Sequence, residues 1–171
     1  ALPWPELPAF MSRLAEKPGM GALALQATIL TAARSGEIRG ATWDELDFDD
    51  AVWTIPKERM KVRKLHKVPL SAEALQVFRR AAELRRGNTN LVFPNGKGEL
   101  LSDMTLTKCL RDMGESDTVH GFRSTFRDFV AEQLLDVPDE IAEAALAHTV
   151  SDKVMKAYKR TTFFEMRRSL M

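Results

Sequence analysis

The chain has 171 residues with 44% hydrophobic and 29% charged side chains and a formal net charge of +1. That is enough for one domain with a core and ordinary for a globular protein. No apolar run approaches the roughly 20 residues needed to span a bilayer, and no signal-peptide layout opens the chain. The single cysteine, Cys109, excludes an internal disulfide and fits a reducing cytosol.

The opening "ALPWPELPAF" begins at Ala1 and reads as the end of a linker, so residues 1–10 are expected to be linker-like in a fragment of a longer protein. An apolar helix follows from about Gly21 to Ala33. The Ser35-Gly36 pair then breaks the pattern and caps a short helix carrying Ile38 and Trp43. Strand-formers Phe48, Val52, Trp53, Ile55, Leu65, Val68 and Leu70 come next, with a turn at Asp49-Asp50 and Pro56 and Pro69 at strand ends. They predict three short antiparallel strands, with the basic stretch "KERMKVRKLHK" as the second turn. Beyond Ser71 the chain reads as helical: "SAEALQVFRRAAELRR", "SDMTLTKCLRDM", "HGFRSTFRDFVAEQLL", "PDEIAEAALAHT", "SDKVMKAYKR" and "TFFEMRRSLM". "PNGKGE" lacks phosphate-cradle spacing and reads as a turn. The expected class is mainly α with a small three-stranded antiparallel β-sheet (α+β).

Charge is distributed unevenly. Lys57, Arg59, Lys61, Arg63, Lys64 and Lys67 crowd the second turn. Lys153, Lys156, Lys159, Arg160, Arg167 and Arg168 crowd the C-terminal segment, while acids gather over 37–50 and 132–143. A near-neutral total can hide a basic face suited to a phosphate backbone. Each cluster alone also reads as a solvated surface.

Chemistry-bearing residues are few. Arg34 ends the apolar helix, where an arginine also suits the helix dipole, and Glu37 is spaced to hold its guanidinium. His120 and Arg123 are three apart on one helix, offering an imidazole and a guanidinium to one oxyanion. His148 precedes Tyr158, the only tyrosine. Taken together, two arginines can clamp the non-bridging oxygens of a phosphodiester, a turn lysine can protonate a departing 5′-oxygen, and the phenol can attack. The arginines supply the electrostatics, so no metal or other cofactor is expected. Other readings are bland: Cys109 as a buried small hydrophobe, Met104, Met113 and Met155 as core filler, His66 as a strand residue or phosphate contact.

The motifs "ARSGEIRGATWDELDFD", "IPKERMKVRKLHKVPLS", "HGFRSTF", "LAHTVSDKVMKAYKR" and "FFEMRRSLM" together resemble the catalytic domain of the tyrosine recombinases, the phage-integrase family, closest to prophage and genomic-island integrases. The resemblance covers essentially the whole chain and implies the DNA breaking-rejoining enzyme fold. It makes Arg34 and Arg123 the catalytic arginines, His120 and His148 the histidine positions, and Tyr158 the nucleophile. Glu37 supports the site. Counting back from "VPL" puts the catalytic lysine at Lys61, with Lys64 the alternative; Arg59, Arg63, Lys64 and Lys67 are the expected DNA contacts.

The implied activity is site-specific DNA recombination through a 3′-phosphotyrosyl intermediate, integrating or excising a mobile element. The partners implied are double-stranded attachment sites and a homotetramer on DNA, in the bacterial cytoplasm and at the nucleoid when bound. The fragment alone, without upstream DNA-clamping domains, is expected to be a monomer that binds DNA weakly. A type IB topoisomerase would share the nucleophile chemistry but relax supercoils without a partner site. A catalytically inactive helical DNA-binding module would be indifferent to Tyr158→Phe. A helical interaction protein without a DNA role would show no salt-dependent DNA binding.

Overall fold

A computed structural model describes residues 1–148 and 163–171. The helix expected over Ser151–Arg160, with Tyr158, Lys153, Met155, Lys156, Lys159 and Arg160, lies outside the described residues.

The centre of the core is α2 (Met20–Thr31), which packs against α1 (Leu7–Ala15), α3 (Ser35–Arg39), α4 (Ala72–Glu83) and α5 (Thr105–Asp112). Its sequence is apolar on every side, and Ala22, Leu23, Ala24, Leu25 and Ala27 are all buried, as an all-round hydrophobic helix requires. The buried hydroxyls of Thr28 and Thr31 are satisfied by donating to the carbonyls of Ala24 and Ala27, both at 2.7 Å. Gly21 lets α5 approach: a Cβ there would sit 2.9 Å from Cγ2 of Thr105. Helix α2 stops where Ala32 turns left-handed, with φ 51°.

The sheet is a meander in the order β1 (Leu46–Asp47), β2 (Val52–Ile55), β3 (His66–Pro69), all antiparallel, with Trp53 opposite both Leu46 and Val68. Trp53 and Ile55 are fully buried and alternate with half-buried Val52 and Thr54. The first strand ends before Phe48, earlier than its strand-forming ring predicts. The backbone turns there, and the Asp50 N–H donates to Oδ1 of Asp47 at 2.9 Å. Trp43 falls in a 3-10 turn (Trp43–Glu45) rather than in α3.

Helix α4 carries Ala74, Val77, Phe78 and Ala81 into the core, and Ser71 caps it by accepting the Ala74 N–H at 3.2 Å. Phe78 stands between Trp53 and Phe93, ring centres 6.3 and 5.7 Å away. The chain continues through α6 (Gly121–Gln133), α7 (Asp139–Ala145) and, after the undescribed stretch, α8 (Phe164–Leu170).

Three expectations are corrected. Residues 1–10 are no linker: Leu2 is buried and its carbonyl accepts the Thr125 hydroxyl at 2.6 Å, Trp4 donates to Glu132 at 2.7 Å, and Phe10 packs on Phe122 at 5.4 Å. Met104 is exposed at the start of α5 instead of filling the core. Arg167 is not part of a basic surface. It is 2% exposed and donates to the Lys67 carbonyl at 2.8 Å, while Arg168 reaches the Asp50 carbonyl at 3.0 Å, so α8 docks on the sheet.

Candidate active site

The left-handed Ala32 ends α2 and throws the next residues into an extended segment, so that Arg34 becomes the N-cap of α3. The cap is supplied by Glu37 rather than by Ser35. One Glu37 oxygen accepts the Arg34 N–H at 2.9 Å and the other accepts Nη1 of the same residue at 3.0 Å. Backbone and guanidinium of Arg34 are thus fixed by one buried carboxylate.

Behind Glu37 stands Arg59. Its Nε and Nη2 donate to the Glu45 carboxylate at 2.9 and 2.7 Å, and Nη1 and Nη2 donate to the Glu37 carbonyl at 3.2 Å. Grouped with the DNA contacts in the sequence, Arg59 instead has its guanidinium turned into the protein as a strut under Glu37.

Arg123, in the first turn of α6, is 5% exposed and gathers three chain segments. Nη1 donates to the Ala32 carbonyl, Nη2 donates to the Leu146 carbonyl at 2.6 Å, and Nη2 also lies 3.1 Å from Nε2 of His148. Burial pushes its pKa down to about 10, helped by the Arg34 charge and opposed by Glu37 and Glu143. It stays charged at neutral pH, and its buried Nε–H has no hydrogen-bond partner among the described residues.

His120 stands at the N-cap position of α6, exposed at the surface. Its pKa is lowered by desolvation first and then by the charges of Arg123, Arg34, His148 and Lys61. The charges acting on this one imidazole come from the α2–α3 junction, the β2–β3 turn, α6 and the end of α7. Lys61 is exposed on that turn, and its charge is among those that lower the His120 pKa. Arg63, Lys64 and Lys67 are exposed along the same turn and β3.

His148 follows α7. Its Nδ1 lies 2.6 Å from Oε2 of Glu143, whose Oε1 is 3.0 Å from Nε of Arg127. His66 is half-buried at the start of β3. Burial and the nearby charges of Arg167, Arg123 and Arg34 push its pKa down to about 4. His66 shares the inward face of β3 with buried Val68, while Leu65 and Lys67 on either side of it are exposed. Among the described residues no group of three or more His, Cys, Asp or Glu side chains is arranged to hold a metal ion. Arg123 and His148 therefore meet beside the α2–α3 junction that carries the Arg34–Glu37 pair, with His120 one turn before Arg123 at the start of α6 and Lys61 exposed on the β2–β3 turn; Tyr158 lies outside the described residues.

A helical domain with a small antiparallel meander, presenting two arginines and two histidines at one place, has the fold of the tyrosine recombinase catalytic domain. The Tn1549 transposon integrase, solved in complex with circular intermediate DNA, superimposes with a TM-score of 0.68 at 18% identity, over 96% of this chain and 64% of that one. A lambda integrase dimer bound to a core site gives 0.64 at 18% identity, over 89% and 58%. Residues 5–164 match the phage integrase family, and the chain belongs to it. It is 34% identical to the integrase of Enterobacteria phage P4 over 191 residues, covering 100% of this chain and 43% of that protein. It is also 34% identical to prophage integrase IntA of Escherichia coli (strain K12) over 147 residues, 84% of this chain and 35% of that protein. The chain thus spans less than half the length of these curated relatives.

Proposed function

We propose that this chain is the catalytic part of a site-specific DNA recombinase, an integrase that cleaves and rejoins double-stranded DNA through a 3′-phosphotyrosyl link on Tyr158. The observation that carries the reading is the buried guanidinium of Arg123, which donates to the Ala32 carbonyl two residues before Arg34 and lies 3.1 Å from Nε2 of His148.

In the forward step the Tyr158 oxygen bonds to phosphorus while the bond to the 5′-oxygen breaks. Arg34 and Arg123 grip the non-bridging oxygens as negative charge grows there. His120, its pKa lowered, is neutral near pH 7 and suited to accept the phenolic proton; Lys61 gives one to the departing 5′-oxygen. Resealing reverses each transfer, with a 5′-hydroxyl as attacking group and Tyr158 as leaving group. The phosphotyrosyl bond conserves the energy of the bond it replaced, so no nucleotide cofactor enters. Arg63, Lys64 and Lys67 line the approach to the phosphate backbone.

Four cleavages on two attachment sites call for a homotetramer of the full-length protein on DNA, acting in the bacterial cytoplasm. The isolated chain is a monomer in this reading, which sedimentation tests. No helix of the described residues is long and apolar enough to cross a membrane. The chemistry is tested with a suicide DNA substrate, nicked near a candidate attachment site, and a denaturing gel. Wild-type full-length protein forms a covalent adduct and Tyr158→Phe forms none; an adduct that persists in Tyr158→Phe removes Tyr158 from the reaction.

A further inference from the structure

Glu143 has no role in the reading above, yet it holds His148, which in turn meets Arg123. Its carboxylate bridges Nδ1 of His148, at 2.6 Å, and Nε of Arg127, at 3.0 Å. On the far side of the imidazole, Nε2 lies 3.1 Å from Nη2 of Arg123. A guanidinium has only donors, so Nε2 is the acceptor and the proton of the neutral ring is on Nδ1, facing Glu143. A neutral imidazole in water prefers its proton on Nε2, so the tautomer required here is the one a carboxylate at Nδ1 selects.

We propose that Glu143 is a positioning residue for the recombinase reaction: it holds His148 in its Nδ1–H form, and through that ring fixes the guanidinium of Arg123. The functional half rests on the recombinase reading; the tautomer does not. The alternative is that Glu143 merely pairs with Arg127 at the surface, where such pairs contribute little. The backbone argues against that. Ala147 is left-handed at φ 51°, and the His148 N–H donates to the Glu143 carbonyl at 2.9 Å. The turn after α7 therefore brings both main chain and side chain of His148 back onto Glu143. The resulting run is Arg127, Glu143, His148, Arg123, with acceptor and donor alternating along it.

His66, His120 and His148 are the three histidines of the chain, so long-range 1H–15N correlation spectra of the 171-residue protein resolve each ring. His148 is expected as Nδ1–H in the wild type and shifted toward Nε2–H in Glu143→Ala. An Nε2–H ring in the wild type overturns the proposal, and this reading needs no variant. An unchanged Nδ1–H ring in Glu143→Ala overturns it as well.

In the full-length protein, Glu143→Ala slows single-turnover adduct formation on the nicked substrate by roughly ten- to a hundredfold with DNA affinity unchanged. Glu143→Gln, whose amide oxygen still accepts from Nδ1–H, recovers most of the rate. A wild-type rate in Glu143→Ala overturns the functional half. Failure of the wild type to form any adduct overturns the recombinase reading instead, and the tautomer still decides the geometric half.

Discussion

Arg59 and Lys64 look interchangeable in the sequence, two cations in one basic run, but their surroundings give them opposite work. Arg59 holds the buried carboxylate of Glu45 and the main chain of Glu37, whereas Lys64 is exposed. A buried carboxylate is tolerated only when paired, so Glu37 and Glu45, in an acidic cluster that reads as solvated and is exposed at Asp44, Asp47, Asp49 and Asp50, demanded partners. Arg59→Ala is expected to cost about 3 kcal/mol in denaturant unfolding, the loss typical of breaking a largely buried pair. Lys64→Ala should stay within about 0.5 kcal/mol of wild type and reduce the salt slope of DNA binding by about one. An Arg59→Ala variant of wild-type stability contradicts the assignment. Gly40 belongs to the same arrangement, since a Cβ there would collide with Nη1 of Arg59. Gly40→Ala is expected to lower stability by about 1–3 kcal/mol, and a neutral effect in the same unfolding assay would show that Arg59 yields freely.

Elements with strong local signals were legible: the helix that follows Ser71, the apolar α2, and a three-stranded meander closed by Asp-rich and basic turns. Misreadings came where tertiary contacts overrule local pattern. Pro3, Pro5 and Pro8 make residues 1–10 look like a linker, yet Pro5 and Pro8 sit at helix starts, where a missing N–H costs nothing. Leu2, Trp4 and Phe10 then anchor the segment on α6.

The burial of His66 at the start of β3 is expected to make stability depend on pH. Between about pH 4 and 6.5 the unfolded chain binds a proton at His66 that the native protein refuses. His66 therefore lends stability above pH 6.5 that is lost as pH falls toward 4, with a slope of up to about 1.4 kcal/mol per pH unit. Urea midpoints measured across this range should fall less steeply for His66→Gln than for the wild type. Parallel profiles would show that His66 is not held neutral.

For the whole molecule, the candidate site could not be assembled from local pattern. Arg34, Lys61, His120 and His148 are each ordinary in their own segments, and only the joint pattern of a family placed them together. Glu143 escaped even that pattern, because it meets His148 through a left-handed turn rather than at helical spacing. What the fold adds is a shared location: the ends of α2 and α7 and the start of α6 meet at Arg123. If Arg34 and Arg123 act on one phosphate, their contributions to cleavage are coupled. The decisive comparison is the single-turnover cleavage rate of the full-length protein on the nicked substrate for Arg34→Lys, Arg123→Lys and the double variant. Lysine keeps the charge and removes the guanidinium fork. Each single change should slow cleavage by about a hundredfold or more, and the double variant should be little slower than the worse single. Losses that multiply, or a single variant that cleaves at the wild-type rate, would mean that the two arginines do not serve one phosphate.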